Sequence, residues 1–394
     1  MGRVKTLMVL ALAACNGGGS TAPVSTPPVA SVSAGDNHSC GLTPEGAAYC
    51  WGDNTFGELG NGTMTGSTTP VAVSGGRRFV VLSAGSRHTC GLTPAGAAYC
   101  WGSNPTGQVG NGTTNDASTP VPVSDGLTFA ALSAGGFHTC GITTAGAAYC
   151  WGSNLEGQLG AGTSSGPNTC GASACSETPV AVLGGLTFIA VSAGEFHTCG
   201  VTSANAAYCW GYNFDGVLGT PPRQSCSVNG YPCNVTPGAV AGGLAFDAVS
   251  AATLHTCGIT TAGAAYCWGD NGGGGLGDGS TTSSSTPVAV AGGLSFSVVS
   301  AGDNHSCGVT PAGAAYCWGE NNSGQLGNGT IVSSTSPVPV SGGLTFAALS
   351  GGHRSHHSCG VTQGKAAYCW GSNANGQLGN GTTMDSPVPT LVGP

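Results

Sequence analysis

Charge is scarce in this chain. Of 394 residues, 8 are Lys or Arg and 16 are Asp or Glu, 6% in all, where an average globular domain carries about 25%. Lysine is nearly missing, with only Lys5 and Lys365. A partner with a phosphate backbone needs clustered Lys and Arg, so a net charge of −8 argues that no nucleic acid is bound. Long apolar runs are also lacking. Leu7 to Ala14 is too short to span a bilayer as a helix. Good helix composition is missing too, because 72 residues are Gly and 22 are Pro, the two poorest helix formers. No phosphate loop with its Lys, no invariant carboxylate pair and no Ser-His-Asp spacing outside the repeat is found. No catalytic residue, cofactor or metal site is therefore assigned, and the chain is not expected to be an enzyme. Disorder does not explain the low charge, since 40% of the residues are apolar. An all-β, turn-dense, repetitive architecture remains.

What is abundant is cysteine, 19 in all, which points to an oxidising compartment. The chain starts with a basic pair, Arg3 and Lys5, followed by the apolar run. This reads as a signal segment over 1–14 to be left out of the fold. Leu12-Ala13-Ala14-Cys15 resembles the lipobox of bacterial lipoproteins, which implies lipidation at Cys15 and a membrane anchor in the cell envelope. Residues 15–28 are then a small, polar tether.

The rest, 29–394, is one repeat seven times over. Tyr-Cys-Trp-Gly begins at Tyr49, Tyr99, Tyr149, Tyr208, Tyr266, Tyr316 and Tyr368. Ten residues before each of these cysteines stands another, and two before that a histidine: His38, His88, His138, His197, His255, His305 and His357. Each unit closes on Asn-x-x-Gly-x-Leu-Gly, or a close variant. Four short strands read from each unit, in the order Pro-Val-x-Val, Ser-Ala-Gly, His-Thr-Cys-Gly and Tyr-Cys-Trp-Gly. Four strands in about 50 residues is the period of a propeller blade. The first copy lacks its Pro-Val-x-Val strand, and the last is followed by a surplus one at Pro387. The fold class expected is therefore all-β: a seven-bladed β-propeller closed by a C-terminal strand completing the first blade.

Val32-Ser33-Ala34-Gly35-Asp36-Asn37-His38-Ser39, followed by Trp51-Gly52-x-Asn54-x-x-Gly57-x-Leu59-Gly60, resembles the repeat of the regulator of chromosome condensation family. That resemblance recurs in every unit and also implies a seven-bladed propeller. Two features depart from it. Cys40 and its equivalents stand where the family usually has a plain apolar residue, and Ala252 and Gly351 break the Ser-Ala-Gly triplet.

Thr43-Pro44-Glu45-Gly46-Ala47 suits a three-residue hairpin loop. Pairing Thr43 with Ala47 sets Cys40 opposite Cys50, within disulfide reach, and Gly41 opposite Tyr49, giving the ring room. Seven cross-strand disulfides are expected: Cys40–Cys50, Cys90–Cys100, Cys140–Cys150, Cys199–Cys209, Cys257–Cys267, Cys307–Cys317 and Cys359–Cys369. Cys170–Cys175 and Cys226–Cys233 would staple the insertions of the third and fourth units. Metal binding by Cys and His is the rival reading. The seven histidines read as structural, satisfying backbone groups of the neighbouring turn. His353, His356 and His357 are less regular and read as a solvated loop, with a weak metal or anion site as the alternative. The Asn-Gly-Thr triplets read as tight turns rather than glycosylation acceptors.

Two loops per blade share a face, the one before the His and the one after Trp-Gly. On consecutive blades these loops carry Phe137, Phe196 and Leu254, with Leu155, Tyr212 and Phe214 beside them. They form a candidate apolar arc flanked by Glu156, Glu195 and Asp215, as a protein-binding surface would be. The function expected is a lipid-anchored, extracytoplasmic, monomeric interaction scaffold with an unknown protein partner. The alternatives are nucleotide exchange on a small GTPase, as the family resemblance implies, and inhibition of a periplasmic or secreted enzyme.

Overall fold

The computed structural model describes residues 28–226, 230–352 and 354–393. The signal segment, Cys15, all but the last residue of the tether, and His353 lie outside the described residues. Seven antiparallel sheets follow one another along the chain. The first shows the plan: β1 (Ser31–Ala34), β2 (His38–Leu42), β3 (Ala48–Gly52) and β4 (Ser67–Ala72), hydrogen-bonded in that order. In the turn between β2 and β3, the Thr43 N–H donates to the Ala47 carbonyl at 2.9 Å. Gly46 takes the left-handed φ of 85° that this turn requires. Register then follows, with Cys40 opposite Cys50 and Gly41 opposite Tyr49. All seven hairpin cysteine pairs are disulfide-bonded, with Cα–Cα distances of 4.0–4.1 Å.

The third and fourth blades have five strands each. Their insertions do more than extend a loop. Asn168–Cys170 and Gln224–Cys226 pair as extra outer strands against Ser173–Ala181 and Tyr231–Ala239. Cys170–Cys175 and Cys226–Cys233 bond across these hairpins.

Ring closure differs from the expectation. The last strand, Ser386–Leu391, pairs with Ala367–Gly371 of its own blade, Tyr368 opposite Leu391. It does not enter the first sheet, whose four strands all come from residues 31–72. The physical reason is the phase of the repeat. Pro-Val-x-Val is the outermost strand, folding back on the Tyr-Cys-Trp-Gly strand just before it, as Tyr49 opposite Ala72 shows. The apparent deficit at one end and surplus at the other come from counting it as the first strand.

Closure comes instead from side chains: the His–hydroxyl bond recurs at every junction, and the indole–carbonyl bond at all but the one between the fourth and fifth blades, where Trp268 Nε1 has none. His38 Nε2 lies 2.8 Å from Thr89 Oγ1 of the next blade. Thr89 Oγ1 donates to the Glu58 carbonyl at 3.0 Å, and the same oxygen accepts from Trp101 Nε1 at 2.8 Å. Since the hydroxyl proton is used on the carbonyl, Nε2–H of His38 must be the donor to it. At the closing junction His357 Nε2 meets Ser39 Oγ at 2.8 Å, and Ser39 and Trp51 both donate to the Gln377 carbonyl. Each histidine thus bonds through Nε2 to a hydroxyl of the next blade, and His255 also has a backbone hydrogen bond at Asp303 in the neighbouring turn. A second set of bonds circles the axis. Ser33 Oγ accepts from the Ala84 N–H at 2.9 Å, and Ser350 Oγ accepts from the Ala34 N–H at 3.0 Å across the closure. The Ser and the His of each repeat are explained by neighbours one blade away.

The core lies between blades as well as within them. Cys40, Leu42, Leu59, Phe79 and Trp101 form one buried cluster drawn from two consecutive units. Gly110 shows how tight the junctions are. It has a φ of 77°, and a Cβ there would stand 2.5 Å from Trp151 Nε1. Gly110→Ala is therefore expected to displace the indole from the Gln108 carbonyl and cost at least about 2 kcal/mol, read from urea denaturation. The Gly of each His strand has a different use from the one expected. At Gly91 the space is filled by the Phe79 ring, with Cδ1 2.6 Å from where a Cβ would lie, so the glycine makes room for Phe rather than for Tyr99.

Candidate functional site

Within each blade the loop before the His and the loop after Trp-Gly are tied together. The Asp53 N–H donates to the Asn37 carbonyl at 2.8 Å, Ser153 to Phe137 at 2.9 Å and Tyr212 to Phe196 at 3.0 Å. Side chains on both loops therefore share one face. On blades three and four that face holds a run of aromatic rings, with Leu254 of the fifth blade at its end. Phe137 stacks on Phe196 with centroids 5.9 Å apart, Phe196 meets Tyr212 at 6.0 Å, and Tyr212 stacks on Phe214 at 6.2 Å.

Tyr231 completes the run, 5.6 Å from Tyr212 and 6.3 Å from Phe214. It was missed in the sequence because it lies in the disulfide-stapled insertion, out of phase with the repeat. The Cys226–Cys233 pair flanking it is the signal that could have drawn attention there. Phe214, Tyr231 and Leu155 are 46%, 39% and 37% exposed. Phe137, Phe196, Tyr212 and Leu254 are half-buried. Two shallow hollows link them: one lined by Phe137, Leu155 and Phe196, the next by Phe196, Tyr212, Tyr231 and Leu254, with Glu156 at both. All six expected residues thus lie on one continuous surface. Burial, with Tyr231, Glu156 and Asp215 nearby, pushes the Tyr212 hydroxyl up to about 12, so it stays a hydrogen-bond donor. Asp215 sits on a 3-10 turn, Phe214–Gly216, with a φ of 53°.

Glu195 is not at the rim. Its side chain is fully buried and lies 3.2 Å from Arg354 Nε. Arg354 comes from the irregular loop of the last blade, and its N–H donates to Thr253 Oγ1 of the fifth at 3.2 Å. That loop reaches past the intervening blade and is not simply solvated. Asp36, Asp303 and His356 gather around the same point. Burial raises the Asp36 carboxyl to about 6 and that of Glu195 to about 7, with Arg354 opposing in both cases. His357 belongs to the closing junction. Among the described residues no three His, Cys, Asp or Glu are grouped to hold a metal ion.

Two profiles described as "Regulator of chromosome condensation (RCC1) repeat" match the chain, one over 45–92, 95–142, 145–201, 312–361 and 366–394, the other over 29–58, 79–108, 129–158, 188–217 and 289–325. Among solved structures, yeast RCC1 (Prp20) bound to Kap60 superposes with a TM-score of 0.73 at 21% identity, over 87% of this chain and 83% of that one. Human WBSCR16 gives 0.76 at 18% identity, over 88% and 93%. The ectodomain of the Physcomitrella patens receptor kinase CR4 gives 0.56 at 23% identity, over 88% and 75%. At these identities the likeness is one of fold. The repeat profiles carry the assignment further: this chain belongs to the regulator of chromosome condensation (RCC1) repeat family.

Proposed function

We propose that the protein is an extracytoplasmic, non-enzymatic interaction scaffold that binds a protein partner through the aromatic face of its third and fourth blades. The observation that carries this is the unbroken run Phe137–Phe196–Tyr212–Phe214–Tyr231, half-exposed on a rigid frame. A hydrophobic core made of aromatics with a polar rim is the composition of a binding surface, and Glu156 and Asp215 give the rim a negative sign. Nine disulfides support an oxidising setting. The lipobox supports anchoring through Cys15 after removal of 1–14, with 15–28 as tether and 29–394 as a monomeric propeller. Family relatives in solved structures bind proteins: yeast RCC1 (Prp20) is found bound to Kap60, and Prp20p from Saccharomyces cerevisiae is described with binding properties to Gsp1p and histones. Exchange on a cytosolic GTPase fits poorly with a disulfide in every blade.

The test is affinity capture from envelope extract with the wild type and with Phe214→Ala/Tyr231→Ala. Both side chains are exposed, so the double variant is expected to keep its melting temperature within about 2 °C and to lose most of the captured partner. Retention of the partner would remove this face from the proposal. Radiolabelled palmitate is expected in the wild type and not in Cys15→Ala.

A further inference from the structure

Six blades begin with a phenylalanine held against the tryptophan of the same blade. Phe79, Phe129, Phe188, Phe246, Phe296 and Phe346 lie 5.7–5.9 Å from Trp101, Trp151, Trp210, Trp268, Trp318 and Trp370, centroid to centroid. Each ring rests on the glycine of its His strand, where a Cβ would stand 2.5–2.7 Å from the ring.

The first blade breaks this pattern. Val29 occupies the place of Phe79, each six residues before the Gly of Ser-Ala-Gly. Its backbone is positioned as in the other blades. The Val29 N–H donates to the Lys365 carbonyl at 2.8 Å, as Phe79 does to Gly46 at 2.8 Å. Only the ring is missing. At Gly41 the nearest atom to a Cβ is Val29 Cγ1 at 3.3 Å, with Trp51 at 3.5 Å. The space left is a cavity of about 240 Å³, lined chiefly by Val29, Gly41, Tyr49, Trp51, Pro70 and Val392. It reaches the surface at Thr69 and Gly393, both part-exposed. A dry apolar cavity of roughly 150 Å³ is enough to hold benzene.

We propose that this cavity is a binding site for a small monocyclic aromatic ligand, seated against Trp51 as each phenylalanine is seated against its own tryptophan. The molecule itself supplies the template for the ligand, six times over. Residues 1–27 contain no Phe, Tyr or Trp. Val29 already uses the backbone slot, so the ring has to come from a separate molecule. The site is independent of the aromatic face and of any partner bound there.

The probe is 4-fluorotoluene, titrated into the oxidised full-length protein and followed by fluorine NMR. One saturable site is expected. Val29→Phe is expected to abolish it and to raise the melting temperature by a few degrees, because the new ring fills the cavity. Val29→Leu fills part of the space and should weaken binding several-fold. Phe296→Val reproduces the first-blade arrangement in the sixth blade and should add a second site. Absence of saturable binding to the wild type, or unchanged binding to Val29→Phe, would overturn the proposal.

Discussion

Protein that has been reduced and alkylated is expected not to regain its sheets, whereas oxidised protein melts in one cooperative transition. Each hairpin disulfide joins residues 10 apart, and closing such a loop removes enough unfolded-state entropy to contribute about 3 kcal/mol. Seven of these together exceed the 5–15 kcal/mol of a typical domain. They also stand in for core. Cys90 and Cys100 are fully buried and pack with Phe129 and Trp151 of the next junction. Cys90→Ala/Cys100→Ala is therefore expected to lower the unfolding free energy by about 3 kcal/mol, measured by urea titration. Cys170→Ala/Cys175→Ala, in a hairpin at the outer edge of its blade, should cost clearly less. Equal losses would mean that the hairpin pairs are not special to the blade core.

Acid is expected to weaken the protein gradually below about pH 6 and to unfold it between about pH 4 and pH 3. Burial holds His38 and His255 down to about 4, and His305 and His357 down to about 3. In the unfolded chain an imidazole binds its proton near pH 6.5. Each lowered value therefore contributes stability that is complete above about 6.5 and lost as pH falls toward 4 or 3, roughly 3 to 5 kcal/mol per histidine. The geometry accounts for the shift. Nε2–H donates to a hydroxyl inside a dry junction, and a charged ring there would have no carboxylate partner in contact.

Three carboxyls act in the opposite direction. Burial raises Asp36 to about 6 and Glu58 and Glu195 to about 7, so the folded state gains protons, and stability, as pH drops from about 7 toward 4. The two groups partly cancel down to about pH 4, where the carboxyls of the unfolded chain are protonated as well. Below that only the histidines held lowest, His305 and His357, continue to lose stability. His305→Gln keeps an N–H toward Ser358. It should lower stability at pH 7 and make the pH profile shallower by about one proton. A profile as steep as the wild type's would contradict this account.

Much of this was legible in the sequence because the repeat supplies seven copies of each local rule. Thr-Pro-Glu-Gly-Ala defined a turn, the turn defined the register, and the register set Cys40 against Cys50. The faces of the loops followed from alternating strand direction, which is why Phe137, Phe196 and Phe214 could be placed together. Long-range features were harder. Pro-Val-x-Val has no sequence mark to say which neighbour it pairs with, so the blade was counted from the wrong strand and closure was misassigned. His38 bonds 51 residues away to Thr89, a partner that the period alone does not identify. Arg354 reaches Glu195 from a loop that departs from the repeat, where averaging over copies has nothing to say. Val29 was not singled out, because its departure from phenylalanine gains a meaning only with the six rings seen in place.

The most direct test of the central proposal is site-specific photo-crosslinking in intact cells. A benzophenone side chain at position 214, on the aromatic face, is expected to yield one discrete adduct with a protein partner. The same group at Ala262, exposed at the hairpin turn on the opposite rim of the fifth blade, is expected to yield none. No adduct at 214, or the same adduct from both positions, would contradict binding through this face.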